Sequence, residues 1–292
     1  MAVTSGPLVT VLMPAYNAGG YIAEAVESIL SQGIDDMELL VVDDGSTDAG
    51  MAELAAVDDR RIRVVSQQNS GLVAALNRGL EHARGRYVAR MDADDICAPG
   101  RLRAQLEWFE ENPDGIACGT DYEMFGAMTG RVRMPRTDQA CRHRLLLAGC
   151  FCGASVMMRR DVIEATDMRF DPRYTHAEDY EFYARLAELG PIGNVSMVGY
   201  LYRIHPSQVS DVHGGEQRST HLEIAAAHAE RRGATQLAES VVRDLLWPGG
   251  EGMVARSLIS ARAGMRCLVR DPGIETARFC ARKVIEAALS AR

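Results

Sequence analysis

Carboxylate side chains form three short clusters, which read Asp43-Asp44-Gly45-Ser46-Thr47-Asp48, Asp92-Ala93-Asp94-Asp95 and Glu178-Asp179. In the second cluster, three carboxylates within four residues repel one another unless a cation lies among them. Hard carboxylate oxygens select Mg²⁺ or Mn²⁺, so this cluster predicts a divalent-metal site. At the first cluster a plain turn is the alternative, because Asp-Gly-Ser is a common turn sequence and Asp and Ser cap helices well.

The first two clusters, and the segment Pro14-Ala15-Tyr16-Asn17, directly follow segments with the pattern of buried strands. Short apolar runs at residues 9–13, 37–42, 62–65 and 87–91 alternate with segments of helical spacing at 20–30, 51–56 and 72–83. This alternation is typical of a parallel sheet with helices on both faces. Ligands of such sheets bind beyond the carboxyl ends of the strands, so these segments should meet at one edge.

Phosphate-binding glycine loops are missing from the positions where they would be expected. No GxGxxG sequence follows the first strand, and the chain contains no Walker sequence. A dinucleotide or P-loop site is therefore disfavoured. A bound diphosphate would be held through a metal ion, for which the aspartates supply ligands.

The remainder of the chain changes character twice. Residues 121–175 are less regular, and a strand at 154–158 and a helix at 177–189 follow from the apolar spacing. Residues 194–204 read as two short strands broken at Gly199, and the segments 216–231, 235–246, 254–269 and 273–291 are all helical. We therefore predict a catalytic domain at 1–210 and a helical C-terminal extension at 211–292.

Charge is distributed unevenly along the 292 residues. The net charge is −8, which argues against a nucleic-acid partner, but residues 252–292 alone carry a net charge of +5. A solvated helix face is the plain explanation of this basic tail, and contact with a membrane surface or a homodimer interface stays open. Seven irregularly spaced cysteines, no signal-peptide pattern and no apolar run of about 18 residues predict a cytoplasmic protein, with peripheral contact at the inner membrane face left open.

Five motifs in order resemble the successive signatures of family-2 glycosyltransferases. They lie at 14–17 (PAYN), 41–48 (VVDDGSTD), 71–79 (GLVAALNRG), 89–95 (ARMDADD) and 177–182 (AEDYEF). The resemblance covers about residues 8–210. It implies the α/β GT-A fold, with a mixed, mostly parallel sheet flanked by helices and a Rossmann-like nucleotide-binding half.

The resemblance also implies a reaction: inverting transfer of a sugar from a nucleoside-diphosphate sugar to an acceptor hydroxyl, by metal-assisted single displacement. The enzyme class would be a hexosyltransferase, and the cofactor Mn²⁺ or Mg²⁺ bound at a DxD motif. A UDP-sugar is the foremost donor, with dTDP- and GDP-sugars open. A glycan, a lipid-linked sugar and a small molecule all stay open as the acceptor.

Individual roles follow from the same resemblance. Asp179 is the expected general base, and Glu178 positions the site or contacts the acceptor, although an acidic pair can also simply complement a helix dipole. The residues expected to bind the nucleotide sugar are Pro14, Ala15, Tyr16, Asp43, Asp44, Asn77, Asp92, Ala93, Asp94 and Arg203. Tyr16 and Asp44 would hold the nucleobase, and Asn77 would orient a loop.

The metal ligands that the resemblance implies are Asp94 and His205, with Asp95 supporting them. At His205 a structural turn set by Pro206 is an equal alternative. Two rival functions are disfavoured by the sequence. A sugar-1-phosphate nucleotidyltransferase would need a glycine-rich, basic loop after the first strand, and residues 14–20 have neither. A non-catalytic nucleotide-sugar-binding module would not need Asp92, Asp94 and Asp179 together.

Overall fold

The strands of this protein form one sheet. The computed structural model describes residues 6–205, 214–233, 239–248, 253–270 and 274–289. Within them the strands are β1 (Val9–Ala15), β2 (Met37–Asp43), β3 (Ile62–Ser66), β4 (Tyr87–Arg90), β5 (Ile96–Cys97), β6 (Ala117–Gly126), β7 (Gly130–Val132), β8 (Met157–Arg159) and β9 (Ile192–Ile204). Their order is β3-β2-β1-β4-β8-β6-β9-β5, and β7 pairs with β6.

Helices cover both faces of this sheet and form the C-terminal region. They are α1 (Ile22–Leu30), α2 (Gly50–Ala55), α3 (Leu72–His82), α4 (Arg101–Glu111), α5 (Asp138–Leu145), α6 (Arg160–Ala165), α7 (Glu178–Leu186), α8 (Gly214–Arg231), α9 (Glu239–Leu246), α10 (Met253–Arg270) and α11 (Ile274–Leu289). Short 3₁₀ turns lie at Gly153–Ser155 and Pro172–Tyr174.

The N-terminal half is the predicted parallel sheet. β1 pairs in parallel with β2 and β4, and β2 pairs in parallel with β3. Every residue of β1, β2 and β4 is buried, as expected for strands covered on both faces. Gly79 lets α3 approach β1 closely, because a Cβ at this position would overlap with the side chain of Leu12.

The second half makes the sheet mixed, which confirms the predicted architecture. β8 is antiparallel to both β4 and β6, whereas β6 and β9 are parallel. The strand predicted from residue 154 begins only at Met157, because Gly153–Ser155 forms a 3₁₀ turn in which the Ser155 hydroxyl donates to the Cys152 carbonyl oxygen at 2.9 Å.

The predicted break at Gly199 is wrong, because β9 is one continuous strand. A Cβ at Gly199 would lie 2.7 Å from Thr120 Cγ2, so this glycine is required by the close approach of β6. The pairing register of the two strands shifts between Thr120 and Tyr122. The glycine therefore marks an irregularity within the strand and not the end of a strand.

The C-terminal extension is helical, as predicted, and it packs on the catalytic body. Ile224 and Ala225 of α8 are buried in the main core beside α7. Helices α9 to α11 form a separate cluster with Leu147 and Ala148. The predicted domain boundary near residue 211 lies outside the described residues, so it stays a prediction.

Helix length and composition bear on the membrane question. Among the described helices, none combines the length and apolar character that crossing a membrane requires. Leu258, Met265 and Ile285 are exposed on the C-terminal helices. A surface contact through these helices, with a membrane or with a second copy, stays a prediction.

Helix α8 packs on the catalytic body through a half-buried histidine, His221, and we expect acid to weaken this packing. The His221 ring lies 4.5 Å from the Tyr180 ring and 5.3 Å from the Trp247 ring. Burial first, and then the charges of Arg144 and Lys283, lower the pKa of His221 from 6.5 to about 4. The folded protein therefore holds this imidazole in its neutral form.

We expect stability to fall as pH drops below 6.5, because the unfolded chain takes up a proton that folded His221 refuses until about pH 4. At pH 5 this one group should cost about 1–2 kcal/mol. Urea unfolding of wild type and His221→Phe at pH 7.5 and pH 5 measures it. The variant should lose less stability on acidification, and an equal loss in both proteins would contradict the assignment.

Candidate active site

The carboxyl ends of β1 and β2 bring the first two motifs together. Ala15 and Asp43 are register partners, and the Asp44 amide donates to the Ala15 carbonyl oxygen at 2.9 Å. Pro14 and Ala15 are buried, whereas the Tyr16 side chain is exposed at the edge of the sheet. The Tyr16 ring is therefore accessible beside the end of β1, as expected for a residue that contacts a nucleobase.

Asp44 orders the loop that precedes α3. Its buried carboxylate accepts hydrogen bonds at 2.8 Å from Gln67 Nε2, from the Ser70 amide and from the Gly71 amide. Asp43 accepts from the Ser46 amide at 2.9 Å, a local contact of the kind that the turn alternative predicts. A direct contact of either aspartate with a nucleobase stays a prediction.

Asn77 has the geometry of a residue that orients a loop. Its Nδ2 donates to the Phe170 carbonyl oxygen and its Oδ1 accepts from the Phe170 amide, both at 2.8 Å. The side-chain amide thereby fixes the segment that leads into α7. Its predicted part in nucleotide-sugar binding can act through this segment.

The third motif and the end of β9 meet in space, although they are more than 100 residues apart. Asp94 Oδ2 lies 3.1 Å from His205 Nε2, and the His205 ring stacks on Tyr21 with centroids 5.0 Å apart. The stacking fixes the plane of the imidazole. The two predicted metal ligands are therefore adjacent.

Arg203 supports the pair of Asp94 and His205 through the Asp94 main chain. Its Nε donates to the Asp94 carbonyl oxygen at 2.8 Å, and its guanidinium also pairs with Glu24. The guanidinium lies over the rings of Tyr21 (5.1 Å) and Phe125 (4.6 Å). These contacts orient the Asp94 main chain, while the predicted contact with the donor stays untested.

Asp95 points away from solvent into the protein. It accepts from the Tyr200 hydroxyl, and from the Arg203 amide at 2.6 Å. Burial first, and then the neighbouring charges of Asp94 and Asp92, raise the pKa of Asp95 to about 8. The side chain thus ties the aspartate motif to β9, and its supporting role at a metal stays a prediction.

The residues present fit a divalent metal ion that a diphosphate helps to bind. Neighbouring ligands of an octahedral ion with bonds of about 2.1 Å lie about 3 Å apart, close to the separation of Asp94 Oδ2 and His205 Nε2. In the part of the chain that the structure describes, no group of three or more His, Cys, Asp or Glu side chains could hold a metal. Substrate oxygens and water would have to complete the site, as is usual for Mg²⁺.

Asp179 lies at the start of α7 and lines a cavity of about 440 Å³. Its Oδ1 accepts from the Tyr180 amide at 2.7 Å, and Oδ2 packs against Gly153, where a Cβ would overlap with it. The Gly153 carbonyl oxygen accepts from the Tyr183 hydroxyl at 2.7 Å. This side chain is therefore held in place at the wall of an open cavity.

Glu178 is buried behind Asp179. Burial first, and then the charge of Asp179, raise the pKa of Glu178 to about 7, and Arg90 opposes the shift. The adjacent carboxylates thus differ in their access to substrate, because Asp179 is half-buried while Glu178 is 6% exposed. Access favours Asp179 as the group that meets an acceptor.

Arg90 links the two sides of the site, and sequence reasoning gave it no role. Its Nη2 donates to Asp92 Oδ1 at 3.3 Å, and the charges of Asp92, Asp179 and Glu178 help to raise the pKa of its guanidinium despite burial. Its membership of the ARMDADD motif was the available signal. One buried cation therefore contacts Asp92, just after β4, and interacts through its charge with the two carboxylates that begin α7.

Arg101 is a second residue that sequence reasoning missed. Its fully buried guanidinium donates from Nη2 to the Arg90 carbonyl oxygen at 2.7 Å and lies 5.6 Å from the Tyr200 ring centroid. It braces the chain just before Asp92. In sequence it is indistinguishable from an ordinary helix-surface arginine.

This geometry can serve a displacement reaction. Asp94 and His205, the candidate metal ligands, are adjacent, and the half-buried carboxylate of Asp179 lines an open cavity. The charge of the buried Arg90 acts on both Asp92 and Asp179. A metal ion on Asp94 and His205 can neutralise negative charge on a leaving group while Asp179 accepts a proton.

Comparison with known proteins agrees with the interpretation of this site as an active site. The model of the family Glycosyl transferase family 2 matches residues 10–166, which is more than half of the chain. An uncharacterized glycosyltransferase of Haemophilus influenzae is 33% identical over 232 residues, covering 75% of this chain and 72% of that protein. Chondroitin synthase of Escherichia coli is 27% identical over 82% of this chain and 35% of that protein. The chain belongs to glycosyltransferase family 2 and is a glycosyltransferase.

Solved structures show the same fold. TarS of S. aureus (residues 1–349, in complex with UDP-GlcNAc) has a TM-score of 0.66 at 16% identity and covers 97% of this chain and 90% of that one. The mannosyltransferase PcManGT of Pyrobaculum calidifontis, in complex with GDP-Man and Mn²⁺, has a TM-score of 0.62 at 21% identity, covering 99% of this chain and 88% of that one. The fold is therefore GT-A, as the motifs implied.

Proposed function

We propose that this glycosyltransferase moves a sugar from a nucleoside-diphosphate sugar to an acceptor hydroxyl, with inversion at the anomeric carbon and with Mn²⁺ or Mg²⁺ as cofactor. The similar structures hold UDP-GlcNAc in one case and GDP-Man with Mn²⁺ in another, which supports this donor class. A UDP-sugar remains our first choice, and a GDP-sugar is the main alternative.

One observation carries the proposal. The buried Arg90 donates to the donor-side Asp92 at 3.3 Å, and its charge also interacts with that of the candidate base Asp179, so one cation acts on both halves of the site. Asp94, which belongs to the same four-residue motif as Asp92, lies next to His205. A donor held at this motif would present its anomeric carbon toward α7.

The residues of the chain then have separate tasks. Asp179 accepts the proton of the acceptor hydroxyl as its oxygen attacks the anomeric carbon, from the face opposite the diphosphate. Asp94 and His205 would hold the metal ion, which when bound neutralises charge on the diphosphate. Arg90 offsets the negative charges of Asp92 and Asp179.

Donor turnover tests this function. UDP-GlcNAc and GDP-mannose are incubated separately with Mn²⁺ and a mixture of simple sugar acceptors, and release of nucleoside diphosphate is measured. We expect release with one donor, loss of release in excess EDTA, and a product whose NMR spectrum shows the anomeric configuration opposite to that of the donor. A retained configuration, or full activity in EDTA, would contradict the proposal.

The same assay separates the two rivals. A sugar-1-phosphate nucleotidyltransferase would release pyrophosphate when given a sugar phosphate and a nucleoside triphosphate. A binding module would show donor affinity by thermal shift without any turnover.

A further inference from the structure

Two neighbouring cavities lie between the catalytic body and the C-terminal helices. The larger, about 440 Å³, extends from Asp179 to Trp247 and Lys283. The smaller, about 160 Å³, lies between α5 and α11. Met134 and Arg144 line both, so the two cavities are neighbours that share part of their walls.

Positive charge dominates the walls of this paired cavity. Among the described residues that line it, the cations are Arg133, Arg144, Arg278, Arg282 and Lys283. Within the same lining, the one carboxylate is that of Asp179. The whole chain carries a net charge of −8, so this concentration of cations runs against the average.

The cations are held in place by the packing of the helices. The Arg144 guanidinium lies 4.1 Å from the centroid of the Phe279 ring, and Arg282 donates to the Arg133 carbonyl oxygen. Arg144, Arg282 and Lys283 are half-buried, and Arg133 is exposed. The innermost cations therefore line a recess and do not form a flat surface.

The larger cavity also offers surfaces that suit a sugar. Tyr122, Tyr202 and Trp247 contribute aromatic rings, and the cavity volume is within the range of small-molecule sites. Asp179, Arg144 and Lys283 all line this cavity. A molecule that fills it would meet the candidate base and the cations simultaneously.

We infer that the acceptor is an anionic sugar or glycan, whose attacking hydroxyl lies at Asp179 and whose phosphate or carboxylate group binds among Arg144, Arg282 and Lys283. This inference rests on the proposed function, in which Asp179 receives the acceptor. Guanidinium groups match phosphate and carboxylate oxygens with paired hydrogen bonds, and this makes arginine the preferred partner of either anion. The C-terminal helices would thereby supply half of the acceptor site.

Lys283 is the only lysine in the chain, which gives a direct readout of occupancy. The full-length protein is treated with an amine-reactive reagent, and labelling of Lys283 is followed by mass spectrometry. Glucose 6-phosphate, glucuronate and glucose, at equal concentrations and ionic strength, are the probes. We expect one or both anionic sugars to slow labelling severalfold and glucose to have no effect, and the stronger of the two identifies the anion.

Substitutions of the cations in the cavity provide a second test of this inference. Arg144→Gln should weaken binding of the protecting sugar about tenfold or more, as expected for loss of a charge-assisted hydrogen bond. Arg103→Gln removes the same charge from an exposed position on α4 and should change nothing. If Arg144→Gln does not fold, Lys283→Met with direct calorimetric titration of the same sugar tests the same site.

The outcomes separate this inference from the proposed function. Nucleotide binding and Asp179-dependent transfer without any protection by the anionic sugars would overturn the inference and leave the function standing. Protection by the anionic sugars in a protein that neither binds nor turns over donors would support an anion site and overturn the function. Protection only by vesicles of phosphatidylglycerol, and not by vesicles of phosphatidylcholine, would assign the cations to a membrane and overturn the inference.

Discussion

Asp179→Asn is expected to lower kcat by about 10²–10⁴-fold, the usual effect of removing a general base. Asparagine keeps the size of the side chain and can still accept from the Tyr180 amide, so α7 should begin as before. It cannot take a proton at neutral pH. The Kd of the nucleoside diphosphate should change little, because the proposed metal ligands are the other residues Asp94 and His205.

Glu178→Gln provides the matched comparison. Since the pKa of Glu178 is raised to about 7, this carboxyl is largely protonated at pH 6, and glutamine resembles that protonated form. The variant should therefore approach wild-type activity at pH 6 and differ more at pH 8. Normal turnover by Asp179→Asn together with an inactive Glu178→Gln would transfer the role of base to Glu178.

Gly153→Ala tests the role of the Asp179 carboxylate by changing a residue that packs against it. The added methyl group would overlap with Asp179 Oδ2, so it should displace the side chain without removing it. We expect reduced kcat with nucleotide affinity unchanged. Loss of nucleotide affinity in Asp179→Asn and in Gly153→Ala alike would show that Asp179 serves the donor, and the proposed division of the site would fail.

The parallel half of the fold could be predicted because its signals are local. β1, β2 and β4 are short apolar runs buried on both faces, and their neighbours α1 and α3 show helical spacing. The structure of such segments can be predicted from their own sequence pattern. The motif aspartates follow directly from the strand ends, so their common location could be predicted with them.

The acceptor side could not be predicted because its contacts are non-local. α5 reads DQACRHRL, which shows little apolar spacing, and it becomes a wall of the site only when α11 packs on it. Arg90 and Arg101 look like surface residues in sequence, yet both are buried by chain segments far away. Burial of a cation depends on partners that periodicity does not reveal.

Asp94→Ala is expected to abolish metal-dependent transfer, with a loss of at least about 10²-fold, since metal assistance contributes several kcal/mol to such reactions. The side chain is partly exposed, so we expect the variant to fold although it loses the contact with His205. Asp114→Ala, at an exposed position, removes the same charge and should have no effect.

The decisive measurement compares the binding of UDP with the binding of UMP. If the donor is a GDP-sugar, the binding of GDP and GMP is compared instead. A metal ion held by Asp94 acts through the diphosphate, so Mn²⁺ should tighten UDP binding in wild type and in Asp114→Ala but not in Asp94→Ala. UMP binding should be nearly the same in all three proteins. If Mn²⁺ tightens UDP binding equally in Asp94→Ala, the ion is held by other residues, and the 3.1 Å contact of Asp94 with His205 is then only a hydrogen bond that closes β9 over the aspartate motif.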